Sequence, residues 1–107
     1  MRPDDKKVFS LELIAASLFI GSIILSVYLS YLVKTNRESS FTKKANVYNS
    51  IVAFTAVSLF TIISFYNYQK AKEKGVYLTP YTKRLLAETF ASIGFLINIQ
   101  AAILASK

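Results

Sequence analysis

The chain has 107 residues, of which 53% are hydrophobic, with a mean hydropathy of +0.40 and a formal charge of +7; that length holds one domain. It contains no Cys and no His, which excludes disulfides, thiolate or imidazole metal sites, haem ligation by His, and nucleophilic catalysis built on either residue. Glu12 is the only charged residue between Lys7 and Lys34, and none lies between Lys44 and Lys70, whereas a soluble chain carries about one charged residue in four.

After the charged lead MRPDDKK comes VFSLELIAASLFIGSIILSVYLSYLV, residues 8–33. A bilayer core of about 30 Å needs about 20 apolar residues at about 1.5 Å each. The apolar part of a cleaved leader is only about 7 to 15 residues long, so this run is read as a first span. A polar connection follows over residues 34–44, KTNRESSFTKK, with the Ser, Thr and Asn content of a loop. The second span, residues 45–69, is uncharged and bounded by Lys43, Lys44 and Lys70.

The second connection, residues 70–84, contains Gly75 as a helix stop and Pro80 as a restart signal. The third span, residues 85–106, reads LLAETFASIGFLINIQAAILAS. No strand-period pattern or internal repeat competes with this reading. Lipid cannot satisfy free backbone groups, so the spans must be helices. The expected fold is all-α: an integral membrane protein of one domain, residues 1–107, with three transmembrane helices packed as an antiparallel bundle.

Tyr28, Tyr31 and Tyr48 flank the first connection, and Tyr66, Tyr68, Tyr77 and Tyr81 flank the second, where an apolar ring with a polar tip suits the headgroup level. With three spans, Arg2, Lys6, Lys7, Lys70, Lys72, Lys74, Lys83 and Arg84 share one side, while Lys34, Arg37, Lys43, Lys44 and Lys107 share the other. The larger group marks the cytoplasmic side, which places the N-terminus there. These cations also fit anionic lipid headgroups, at roughly 1 kcal/mol each near the surface. They sit at span ends and form no stripe with interleaved aromatics, so no nucleic-acid partner is expected.

Each span carries one small and polar face. On the third, Glu88, Ala91, Phe95, Asn98, Ala102 and Ala105 follow steps of three and four; apart from Phe95 this face is small or polar, and Leu86, Ile93, Ile97 and Leu104 oppose it. On the first, Ala15, Ser22, Ser26 and Ser30 keep heptad or four-residue spacing, and Ser17 with Gly21 forms a second small pair. On the second, Asn46, Asn49 or Ser50, Ala53, Val57, Thr61 and Ser64 do the same. Gly21, Ser22, Ser26, Ser30, Ala91, Asn98 and Ala102 are therefore candidate helix-packing residues.

Two carboxylates lie inside spans. Glu12 and Glu88 are each about one turn from the end of helices expected to be parallel, and Asn67 and Gln69 close the second span on the same side. Together the four make a candidate intramembrane polar cluster that could hold a cation or relay protons. The plainer reading is that the acids pair locally, Glu88 with Arg84 and Glu12 with Lys7, or snorkel to the interface.

The layout of a span ending YLSYLVKTNRESSFTKK, a second span, and then NYQKAKEKG resembles small uncharacterised membrane proteins of Gram-positive bacteria. The resemblance covers most of the chain and implies three spans without any assigned activity. The small multidrug transporters, which have an early Glu in four tightly connected spans, are a poorer fit to three spans separated by cationic connections. With no nucleophile, metal cluster or phosphate loop, an enzyme is not expected and no cofactor is implied. The sequence points to an accessory or assembly subunit acting through helix packing, whose partner is another membrane protein or a second copy. The alternative is an oligomeric, holin-like permeation protein in which Glu12, Glu88, Asn67 and Asn98 face a polar path.

Overall fold

The structure is a computed structural model and describes residues 2–107. It contains three helices: α1 Pro3–Lys34, α2 Ser40–Glu73 and α3 Thr79–Ala105. All three are long and apolar enough to cross a membrane. At about 1.5 Å per residue they measure roughly 48, 51 and 40 Å, more than the hydrocarbon core requires.

The helices therefore run beyond the spans read from hydropathy, and the connections shrink to Thr35–Ser39 and Lys74–Leu78. Both turns use the same device. Asn36 (φ 57°) and Gly75 (φ 68°) adopt left-handed backbone. Arg37 N–H then reaches the Leu32 carbonyl at 2.8 Å and Asn36 N–H the Val33 carbonyl at 3.1 Å; Val76 and Gly75 repeat the pair on Ala71 and Lys72 at 3.0 and 3.2 Å. This 6→1 and 5→2 pattern satisfies the last carbonyls of each helix. The Ser39 hydroxyl caps α2 by accepting from Thr42 N–H at 3.3 Å. Pro3 and Pro80 stand in the first turns of α1 and α3, where a missing N–H costs nothing.

Helix α2 packs against both neighbours, whereas the Cα traces of α1 and α3 nowhere approach within 8 Å among the described residues. Residue numbers run in opposite senses across each contact. Asp5 meets Tyr66 while Ser22 meets Asn49, and Ser92 meets Thr61 while Asn98 meets Ser50. The contacts are made by small residues: Ala15 and Ala56 are fully buried, and Ala53, Ala71 and Ala102 nearly so. Close backbone approach through small side chains is how helices associate when lipid supplies no hydrophobic drive.

The large apolar side chains point outward instead. Ile24, Val27, Phe90 and Leu104 are each about two-thirds exposed, at 66%, 67%, 69% and 68%, and no large side chain is fully buried among the described residues. Contiguous apolar surface of this kind is rare on proteins that face only water.

Candidate functional site

Five polar residues of the spans meet at one turn of α2: Ser22, Ser26, Asn49, Ser50 and Asn98. Neighbours on a helix are about 100° apart, so Asn49 faces α1 while Ser50 faces α3. The Asn49 carboxamide oxygen accepts from Ser22 Oγ at 2.8 Å, and its Nδ2 donates to Ser26 Oγ at 2.8 Å. Ser26 in turn donates to the Ser22 carbonyl at 2.8 Å, closing a small network in which every group has a partner. On the other side, Asn98 Nδ2 donates to Ser50 Oγ at 3.4 Å, while Ser50 donates to the Asn46 carbonyl at 2.9 Å.

A second link joins α2 to α3. The Thr61 hydroxyl lies 2.7 Å from Ser92 Oγ, 3.1 Å from the Glu88 carbonyl and 3.0 Å from the Val57 carbonyl. With one proton to give, Thr61 donates to a carbonyl and accepts from Ser92. At the far end of α1, Tyr66 Oη donates to Asp5 Oδ1 at 2.9 Å, and Lys70 Nζ sits 5.6 Å above the Tyr66 ring.

Of the packing candidates, Ser22 and Ala102 are buried, Ser30 and Ala91 are half-buried, and Ser26 is engaged through Asn49. Asn98 is exposed and held only by its long bond to Ser50. Gly21 stands apart, since a Cβ built on it meets nothing within 4 Å; it is not a point of close approach within this chain.

The polar cluster candidates divide. The register that pairs Ser22 with Asn49 sets Glu12 level with Leu59, and the Glu88 carbonyl meets Thr61, so the two half-buried acids lie at neighbouring depths. Asn67 and Gln69 stand roughly 9 and 12 Å beyond Thr61 along the α2 axis. Both are exposed, and Asn67 borders a separate cavity with Asp5, Tyr66, Lys70 and Tyr81. Among the described residues, no group of three or more acidic, His or Cys side chains is arranged to hold a metal.

The separation of α1 from α3 leaves a groove along α2. Its inner part, about 290 Å³, is lined by Phe19, Ile23, Val27, Ala53 and Phe95 together with Ser22, Ser26, Asn46, Asn49, Ser50 and Asn98. Its outer part, about 190 Å³, is lined by Ser30, Val33, Glu38, Thr42, Lys43 and Ala102. Ser26 and Asn46 border both parts, so the two adjoin along α2. Phe19 closes the inner end edge-on against Phe60 and Phe95, with ring centroids 6.5 and 6.1 Å apart. Sequence reasoning placed Phe95 on the small face as an exception and passed over the other two. The available signal was position, because all three phenylalanines fall near the middle of their spans.

Comparison of the chain with protein-family models, curated proteins and solved structures finds no match.

Proposed function

We propose that the protein crosses its membrane three times as an antiparallel bundle, with the N-terminus cytoplasmic and its flanking cations against anionic headgroups. It acts without catalysis, as an accessory or assembly subunit that meets another membrane protein, or a second copy, through α1 and α3. One observation carries this reading: Asn49 is tied to Ser22 and Ser26, Asn98 to Ser50 and Thr61 to Ser92 across the helix contacts, and no buried side-chain nitrogen or oxygen lacks a partner among the described residues. A permeation path would need polar groups turned toward a continuous aqueous route. Here Phe19 and Phe95 stand at the inner end of the groove between α1 and α3, and Phe60 backs Phe19.

Native mass spectrometry of the protein gently extracted from its own membrane tests the proposal. A hetero-complex of fixed stoichiometry is the expected result, unchanged in Glu88→Gln. A homo-oligomer without companions, whose expression collapses the membrane potential and whose effect disappears in Glu88→Gln, would replace the subunit reading with permeation.

A further inference from the structure

The groove between α1 and α3 has the depth and chemistry of a site for one phospholipid molecule. From Val33 at its mouth to Phe19 at its floor it extends roughly 21 Å along α1 at about 1.5 Å per residue. A whole bilayer with headgroups is about 40 to 45 Å thick, so this is close to the thickness of a single leaflet. The phenylalanine floor therefore lies where two acyl chains from opposite leaflets would meet. The walls change along the same axis. The inner part is lined by Phe19, Ile23, Val27, Ala53 and Phe95 among Ser and Asn side chains; of these, Asn49 is tied to Ser22 and Ser26, and Ser50 donates to the Asn46 carbonyl. The apolar side chains offer contacts to a hydrocarbon chain.

The mouth carries the opposite chemistry. Lys43, Thr42 and Ser30 border it, and Lys34 Nζ lies 2.8 Å from Ser30 Oγ, so two lysines stand at the end of the groove where a lipid phosphate would lie. Glu38 borders the same opening. A carboxylate beside a phosphate site repels an anionic headgroup but pairs with a headgroup ammonium that can donate hydrogen bonds. We infer that the groove binds a phospholipid of the ethanolamine class, with the phosphate against Lys43 and Lys34, the primary ammonium against Glu38, and one acyl chain lying on α2 as far as Phe19 and Phe95. This inference needs only that the three helices cross the bilayer, and it is independent of which protein α1 and α3 meet.

The test uses the full chain in detergent micelles with palmitoyl-oleoyl phosphatidylethanolamine, followed by native mass spectrometry. One lipid per chain should be retained, in preference to phosphatidylcholine, whose methylated ammonium has no N–H, and to phosphatidylglycerol, which has no cation. Glu38→Gln and Lys43→Gln, both near the helix ends, should lower retention about fivefold, the upper end for an exposed ion pair. Asn98→Phe should fill the inner groove and abolish retention. An ethanolamine lipid with a photoreactive group at its acyl terminus should label the chain around Phe19 and Phe95. Equal retention of the three lipids, unaffected by Glu38→Gln and Lys43→Gln, would overturn the inference, as would a preference for phosphatidylglycerol or labelling confined to the outward faces.

Discussion

Asn49 and Asn98 are the same residue type at the same kind of position, yet their surroundings give them different weight. Asn49 is buried and bridges two α1 serines at 2.8 Å each, while Asn98 is exposed and makes one bond at 3.4 Å. Hydrogen bonds between helices in lipid contribute about 0.6 kcal/mol on average and at most about 1.7 kcal/mol. Asn49→Leu is therefore expected to lower stability by roughly 1 to 2 kcal/mol, and Asn98→Leu by less than about 0.5 kcal/mol, in a steric-trapping or mixed-micelle unfolding measurement. Equal losses would mean that the network around Asn49 is not what joins α1 to α2. Other hydroxyls in the spans satisfy themselves locally: Ser17, Thr55 and Thr89 each donate to the carbonyl four residues earlier, at 2.8, 2.9 and 2.8 Å. They need no partner helix and can face lipid.

At the scale of the helix, ends and contact faces respond to different changes. Gly75 holds a left-handed backbone that costs a residue with a Cβ about 1 to 2 kcal/mol, so Gly75→Ala is expected to destabilise by about that amount although its Cβ would meet nothing within 4 Å. Asn36→Gly should be near neutral, since both residues tolerate this conformation; thermal unfolding in detergent reads both. On the contact faces, Ala56 is fully buried, and Ala56→Leu should cost about 1 to 3 kcal/mol by forcing helices apart. Gly21→Leu should cost little within the single chain, because open space surrounds it. A Gly21→Leu variant that retains its fold but loses a companion protein would place that side of α1 in the intermolecular contact.

For the whole molecule, the expected sidedness is directly accessible because the chain has no native cysteine. Arg37→Cys reports on the first connection, and Tyr77→Cys, at a position 74% exposed, on the second. With the N-terminus cytoplasmic, a membrane-impermeant maleimide added to intact cells should label Arg37→Cys and should reach Tyr77→Cys only after permeabilisation. The reverse pattern would invert the orientation drawn from Lys and Arg positions. The arrangement of the helices also bears on exchange with the membrane. With α2 in the middle and α1 apart from α3, the side between α1 and α3 is open as far as the Phe19–Phe95 contact.

The existence of three long apolar helices was legible in the sequence because it follows from solvation: uncharged runs of this length must satisfy their backbone internally once in lipid. The small residues at helical spacing divide: Ser22, Asn49, Ala53, Val57 and Ala102 are buried, whereas Gly21, Ser26 and Asn98 are exposed. Gly75 announced its turn through its missing Cβ. Asn36, doing the same work, was hidden among polar loop residues that look alike in composition. What only the tertiary structure decided is relative position. Helical periodicity gives the face of a residue but neither the register nor the spacing between two helices, so it could not separate Asn67 and Gln69 from the depth of Glu12 and Glu88. Nor could it show that α2 lies between α1 and α3, which opens the groove and brings three distant phenylalanines together at its inner end. Those outcomes depend on how closely one helix surface fits another, a property of two sequences taken together.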